Sequence, residues 1–161
     1  MEEKNGLGAT NGTLLQLVTF RIADEEYGVD ISAVREINKM VQITRLPNSP
    51  DFVEGIINLR GHVIPVIDLR KRLGLEKLDR DKDTSIVVID ISGNTFGFLV
   101  DEVKEVLRIP QSITEPPPEL GTIDHPNYVT SVAKLDDHLL FLLDVQKLTT
   151  FDEGLTELQA N

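Results

Sequence analysis

LVTFRIADEEYGVDISAVREI (residues 17–37) and IVVIDISGNTFGFLVDEVKEV (residues 86–106) align without a gap. Val18 falls on Val87, Ile22 on Ile91, Gly28 on Gly97, Val34 on Val103 and Glu36 on Glu105. Tyr27 falls on Phe96, and Arg35 on Lys104. A second pair follows in the same order: FVEGIINLRGHVIPVIDLRKRL (residues 52–73) beside YVTSVAKLDDHLLFLLDVQKLT (residues 128–149). There Val53 meets Val129, Leu59 meets Leu135, His62 meets His138 and Asp68 meets Asp144. Two matching blocks in one order mean two similar folding units. Each holds roughly 70 residues, near the lower limit for a stable independent core. The two units are therefore expected to share a core.

The chain has 161 residues and a formal net charge of −11, which repels a nucleic-acid backbone and an anionic membrane surface. It contains no Cys, which removes disulfides and thiolate chemistry and agrees with a reducing cytoplasm. Trp is absent and aromatic residues make up only 5%, so the core rests on Val, Ile and Leu. No apolar run approaches the length of a membrane span, and the first residues lack a signal-peptide core. We read a soluble cytoplasmic protein with no direct membrane insertion.

The local signals are those of short strands and tight turns. Residues 1–13 carry no apolar period and read as a flexible tail. Leu14–Ile22 and Tyr27–Ile31 pair across a turn at Asp24-Glu25. Val34, Ile37, Val41 and Ile43 favour a third strand. Arg60-Gly61 closes a hairpin between Ile56–Leu59 and Val63–Ile67, with Pro65 pointing to an edge or a bulge. Asp68 caps a short helix rich in Arg and Lys. Residues 74–83 form a charged linker, and the second half repeats the plan. Asp136-Asp137 closes its second hairpin, and Asp144 caps a helix over Val145–Thr149 or longer. About five strands per half predict two small closed barrels abutting through apolar faces.

Catalytic constellations were weighed and each has a plainer reading. One aspartate per half, Asp68 and Asp144, matches the plan of a two-lobed aspartic-type acid hydrolase. That chemistry needs a small hydroxyl residue and a glycine after each aspartate, but Leu69-Arg70 and Val145-Gln146 follow. Helix caps explain both. His62, His125 and His138 lack the spacing of a metal site. Asp79, Asp81 and Asp83 alternate like a calcium loop, yet Thr84 stands where such a loop needs Gly and Asp90 where it needs Glu. No catalytic, cofactor-binding or metal residue is assigned.

A binding module remains. The duplication puts Val34, Ile37, Val103 and Val106 at like positions, on like faces of the two barrels at or beside their seam. They are either core or the lining of a groove for an amphipathic helix. Arg60 at its hairpin tip has the acidic counterpart Asp136, which permits head-to-tail pairing with a similar fold. A generic peptide-binding barrel for Pro-rich segments needs an aromatic-lined groove, which the low aromatic content disfavours.

The segments EEYGVDI (25–31), VREI (34–37), TR (44–45), GIINLRG (55–61), VIPVIDLR (63–70) and GFLVD (97–101) with Val103 resemble the CheW family of bacterial chemotaxis coupling proteins. The likeness spans about Leu14 to Leu148 and is looser in the second half. It implies a mainly β fold of two five-stranded SH3-like barrel subdomains sharing a hydrophobic core, with short helices. Residues 14–161 then form one domain. About 14–73 plus 129–161 and 74–128 make its two subdomains, with exchange of elements between them allowed. The resemblance also implies an adaptor, not an enzyme, that joins the helical cytoplasmic tip of chemoreceptors to the regulatory domain of the histidine kinase CheA. Such a protein is a monomer in isolation and is recruited to receptor arrays. A receptor-binding surface then carries over to Val34, Glu36, Val103 and Val106, with Arg60 pairing with Glu36. Kinase contact carries over to Ile37 and Leu120.

Overall fold

The computed structural model describes residues 13–76, 80–118 and 128–150. The tail read over 1–13 therefore lies outside the described residues except for Thr13, as do Asp79, Leu120 and His125. The elements run β1 (Leu14–Ile22), β2 (Glu25–Asp30), a 3-10 turn (Ile31–Ala33), β3 (Val34–Lys39), β4 (Val53–Leu59), β5 (His62–Asp68) and α1 (Leu69–Arg72). The second half runs β6 (Ser85–Ile91), β7 (Asn94–Val100), β8 (Glu102–Pro110), a 3-10 turn (Gln111–Ile113), β9 (Thr114–Glu115), β10 (Val129–Lys134), β11 (Leu139–Leu143) and α2 (Val145–Thr149).

The fold is mainly β and holds two sheets. One has the strand order β9-β10-β11-β2-β1-β8 and the other β3-β6-β7-β5-β4. The first carries a sixth strand beyond the five expected, the two-residue β9. Its counterpart in the other sheet is a single bridge between Thr44 and Ile56. The expected closed barrels are not formed by hydrogen bonding: both ladders run linearly among the described residues.

Sheet membership also departs from the expected grouping of 14–73 with 129–161 against 74–128. Each sheet takes the first two strands of one repeat and the remaining strands of the other. After β2 the 3-10 turn sends β3 away to pair with β6, and after β7 the single residue Asp101 sends β8 away to pair with β1. The exchange is reciprocal to the residue. Ile37 pairs with Val87, and its counterpart Val106 pairs with Val18. The register slips between Val34 and Glu36 in one crossing and at the equivalent place, between Thr19 and Phe20, in the other. The parallel pairs match as well, with Val66 opposite Gly97 and Leu142 opposite Gly28.

Three apolar clusters follow from this exchange. Ile57, Ile64, Val66, Ile86, Val88 and Leu99 fill one sheet's own core. Leu17, Ile109, Ala133, Leu140 and Leu142 fill the other's. Between the sheets lies the shared core, which includes Val18, Phe20 and Ile22 from one side and Ile67, Val87, Ile89 and Phe98 from the other. Period-2 alternation sorts the residues: Ile86 and Val88 face inward, while Val87 and Ile89 face the partner sheet. Burial on both faces explains why β6 reads IVVI without polar interruption.

Three local expectations are corrected. Pro65 lies on β5, an interior strand, not at an edge. The parallel ladder with β7 begins one residue later, at Val66, so Pro65 stands outside it. Val41 and Ile43 are not in a strand: β3 ends at Lys39, and Ile43 packs on the inner core beside Met40. The first turn is at Ala23-Asp24, with Ala23 at a φ of 57°.

Two polar devices tie the repeats together. Asp101, the crossover residue, accepts hydrogen bonds from Arg70 Nε at 2.9 Å and Nη2 at 2.6 Å, and from the Ala23 N–H at 2.8 Å. Arg72 sits over the equivalent rings Phe52 and Tyr128, at 4.1 and 5.0 Å from their centroids. It donates to the carbonyls of Leu148, Lys147 and Thr150 at the end of α2, and burial lowers its pKa.

A Cβ at Gly55 would stand 2.3 Å from the Thr44 carbonyl oxygen, on rigid backbone. Gly55→Ala is expected to cost about 2–3 kcal/mol in urea unfolding. Gly93→Ala, with open space but a φ of +86°, costs about 1 kcal/mol. Equal costs for the two would contradict the close approach.

Candidate functional site

The crossing strands β3 and β8 each pair on one side only and end as sheet edges beside the seam. Their seam-facing side chains form the outermost row of the shared core. Val34 pairs with Ile89 and Val103 with Phe20, and both valines pack half-buried against that core. Three residues along each strand, Ile37 and Val106 pair with Val87 and Val18 but are 44% and 55% exposed. The sequence left these four residues open between core and groove. The structure divides them: two are anchored in the core and two emerge onto the surface. Ile37 and Val103 also line one shallow depression, rimmed by Asn38, Lys39, Asp83, Ser85 and Glu102.

Glu36 and Arg60 belong to a different surface. Successive residues of a strand point to opposite faces, so Glu36 turns away from Ile37. Its carboxylate accepts from Arg60 Nη1 at 2.5 Å and from Asn38 Nδ2 at 3.0 Å. The Arg60 guanidinium holds the Glu36 carboxyl below its ordinary range, and the Asn38 bond adds to this. The hairpin turn aims Arg60. Arg60 and Gly61 take φ values of 52° and 84°, the paired left-handed conformation of a type I′ turn, and Asn58 Oδ1 accepts from the Gly61 N–H. The Arg60 side chain is 70% exposed, Glu36 24%. Together they border a cleft lined by Arg35, Leu59, His62, Val63 and Thr95. The structure thus pairs Glu36 with Arg60 but separates that pair from the valine row, with β3 between them.

Val63 was not singled out from the sequence. It is 50% exposed and lines this cleft beside Arg60. Its signal was present: it opens the alternation after a polar hairpin turn, on the face opposite the buried Ile64. Leu120 lies outside the described residues.

The two aspartates weighed as a catalytic pair are helix caps. Asp68 accepts from the Arg70 N–H at 3.0 Å, and Asp144 from the Lys147 N–H at 3.1 Å. Burial raises the Asp68 pKa, and the acid that adds to this is Glu54, not Asp144. Asp81 accepts from the Asp83 N–H and shapes the turn before β6. No described helix is long and apolar enough to cross a membrane.

The family model of the CheW-like domain matches residues 16–153. A chemotaxis protein CheW of Klebsiella aerogenes is 35% identical over 138 residues, covering 86% of this chain and 83% of the relative. A chemotaxis protein CheW of Helicobacter pylori is 37% identical over 142 residues, covering 88% and 86%. Among solved structures, the scaffolding protein TtCheW of Thermoanaerobacter tengcongensis superposes with a TM-score of 0.80 at 42% identity, covering 87% of this chain and 95% of the other. With the family model matched over most of its length and relatives at 35% and 37% identity, the chain belongs to the CheW family.

Proposed function

We propose that this protein is a non-enzymatic adaptor of bacterial chemotaxis. It joins the helical cytoplasmic tip of chemoreceptors to the regulatory domain of the histidine kinase CheA. It acts in the cytoplasm, recruited to membrane-bound receptor arrays, and needs no cofactor. The observation that carries this reading is the apolar row at the seam. Ile37 and Val106 are large apolar residues left 44% and 55% exposed at duplicated positions, on strands whose inner neighbours are core. Exposed apolar residues of this kind are what a partner's apolar face can cover. Family membership and the scaffolding role named for the solved relative support the adaptor class.

Within this reading Val34, Val103 and Val106 receive the receptor helix, and the Glu36–Arg60 pair orders the neighbouring cleft. Ile37 and Leu120 serve the kinase. The acid-hydrolase reading has no comparable support, because both aspartates cap helices.

Val106→Lys places a charge on the exposed end of the row without opening the core. Its capture of receptor-tip helices is expected to fall by about tenfold or more, the loss of roughly 1.4 kcal/mol, with an unchanged unfolding midpoint. Val103→Lys weakens capture too, but lowers stability because Val103 packs on the core. Retention of wild-type capture by Val106→Lys would remove the row from the site. Ile37→Asp is expected to reduce capture of the kinase regulatory domain and spare the receptor helix.

The Glu36 carboxyl should titrate below an ordinary glutamate and move up in Arg60→Ala, read by carbon-detected NMR. The sign follows from its depressed folded pKa: the contribution to stability is present above the ordinary glutamate range and is lost as pH falls through the lowered value. Arg60→Asp impairs signalling while the fold stays intact; unchanged assembly and kinase activation would remove Arg60 from the site.

A further inference from the structure

We propose that His138 is a proton-operated clasp. Its doubly protonated ring bridges Glu26 on β2 and Asp137 in the β10–β11 turn, and loss of one proton breaks one of these two bonds. The geometry is a bracketed imidazole. Nε2 lies 2.7 Å from Glu26 Oε1 on β2, and Nδ1 lies 2.6 Å from Asp137 Oδ1 in the hairpin turn. Ionised carboxylates only accept hydrogen bonds, so both bonds form when both ring nitrogens carry protons. A neutral ring has one N–H. Its bare nitrogen then faces a carboxylate oxygen, and one of the two bonds is lost.

The environment makes that loss consequential. The Glu26 side chain is only 15% exposed, against 87% for Asp137. Glu26 Oε2 is shielded from water and has no hydrogen-bond partner among the described residues. The imidazolium is thus the cation beside a sheltered carboxylate. Arg21 stands opposite Glu26 in the β1–β2 ladder, but its guanidinium goes to Asp101, Glu102 and the Ala23 carbonyl. The charged groups facing the ring are therefore Glu26 from β2, with Glu25 beside it, and Asp137 with Asp136 from the turn. The Asp137 bond first, and then the Glu26 bond and charge, raise the His138 pKa against the opposing effect of burial. A raised folded pKa means that the clasp is complete below the ordinary imidazole pKa and is lost as pH rises through the raised value.

The duplicated hairpin shows the contrast. At the β4–β5 tip the clasp is Arg60 on Glu36, whose guanidinium keeps its charge. His62, the counterpart of His138, is exposed there, and Thr95 stands where the first repeat has Glu26. One tip is held at every physiological pH. The other, bearing Asp136 and Asp137, keeps both side-chain bonds only while the ring carries two protons. This inference is independent of the coupling reading, since it concerns the free protein.

The test is a pH titration of the full chain with nitrogen-labelled histidine by NMR, with His138 assigned through His138→Gln. The His138 midpoint is expected above that of an ordinary imidazole, and Glu26→Gln is expected to lower it. Amide exchange, corrected for its intrinsic pH dependence, should show protection at Leu139 and Leu140 falling across the His138 transition while the β4–β5 hairpin keeps its own. A His138 midpoint at or below that of an ordinary imidazole, or flat protection of the β10–β11 hairpin, overturns the proposal. Both readouts use the wild-type chain and so stand even if a variant misfolds.

Discussion

The reciprocal crossing of β3 and β8 is the constraint on which the structure depends. Neither repeat keeps its third strand. β3 completes the sheet begun by β6, and β8 completes the sheet begun by β1. Phe20, Ile22, Ile67, Val87, Ile89 and Phe98, all fully buried, then lie between the sheets. A repeat of roughly 70 residues has too little apolar area to stand alone. Exchange removes that problem, because neither sheet exists without both halves of the chain. The folded unit is therefore one cooperative body. Asp101 of the second repeat binds Ala23 and Arg70 of the first, and Arg72 touches the rings of both, so the two residues lock it at two points.

The same crossing creates the surface proposed for docking. A strand that leaves its own repeat ends as the edge of another sheet, and an edge leaves the last apolar side chains of the shared core uncovered. Exposed edges invite aggregation unless they are charged or covered. Here Arg35 and Lys39 flank Ile37, and Lys104 and Glu105 precede Val106, so the apolar row is narrow and bordered by charge. A narrow row with a polar rim suits a partner helix better than a sheet-to-sheet contact. The Glu36–Arg60 cleft lies across β3 from it, which gives one edge strand two distinct surfaces.

Much of this was legible in the chain. The gapless alignment of 17–37 on 86–106 carries the two-fold plan, and the registers and bulges match it residue for residue. The caps at Asp68 and Asp144 follow from a lone acid before a basic segment. The exchange of strands could not be read, because pairing partners at long range leave no local signature. Equivalent repeats are equally satisfied by pairing within or between units. For the same reason Pro65 was misread: the missing amide is harmless where a parallel ladder begins one residue later. The duplication placed the four seam residues on like faces. It did not show that Val34 and Val103 are anchored while Ile37 and Val106 emerge, since that depends on how far the other sheet reaches.

The most direct measurement is methyl NMR of the full chain titrated with a receptor-tip helical peptide. The account predicts that shifts concentrate on the methyls of Val34, Val103 and Val106, with the exposed Leu139 unmoved. Shifts centred on Leu139, with the seam silent, would contradict it.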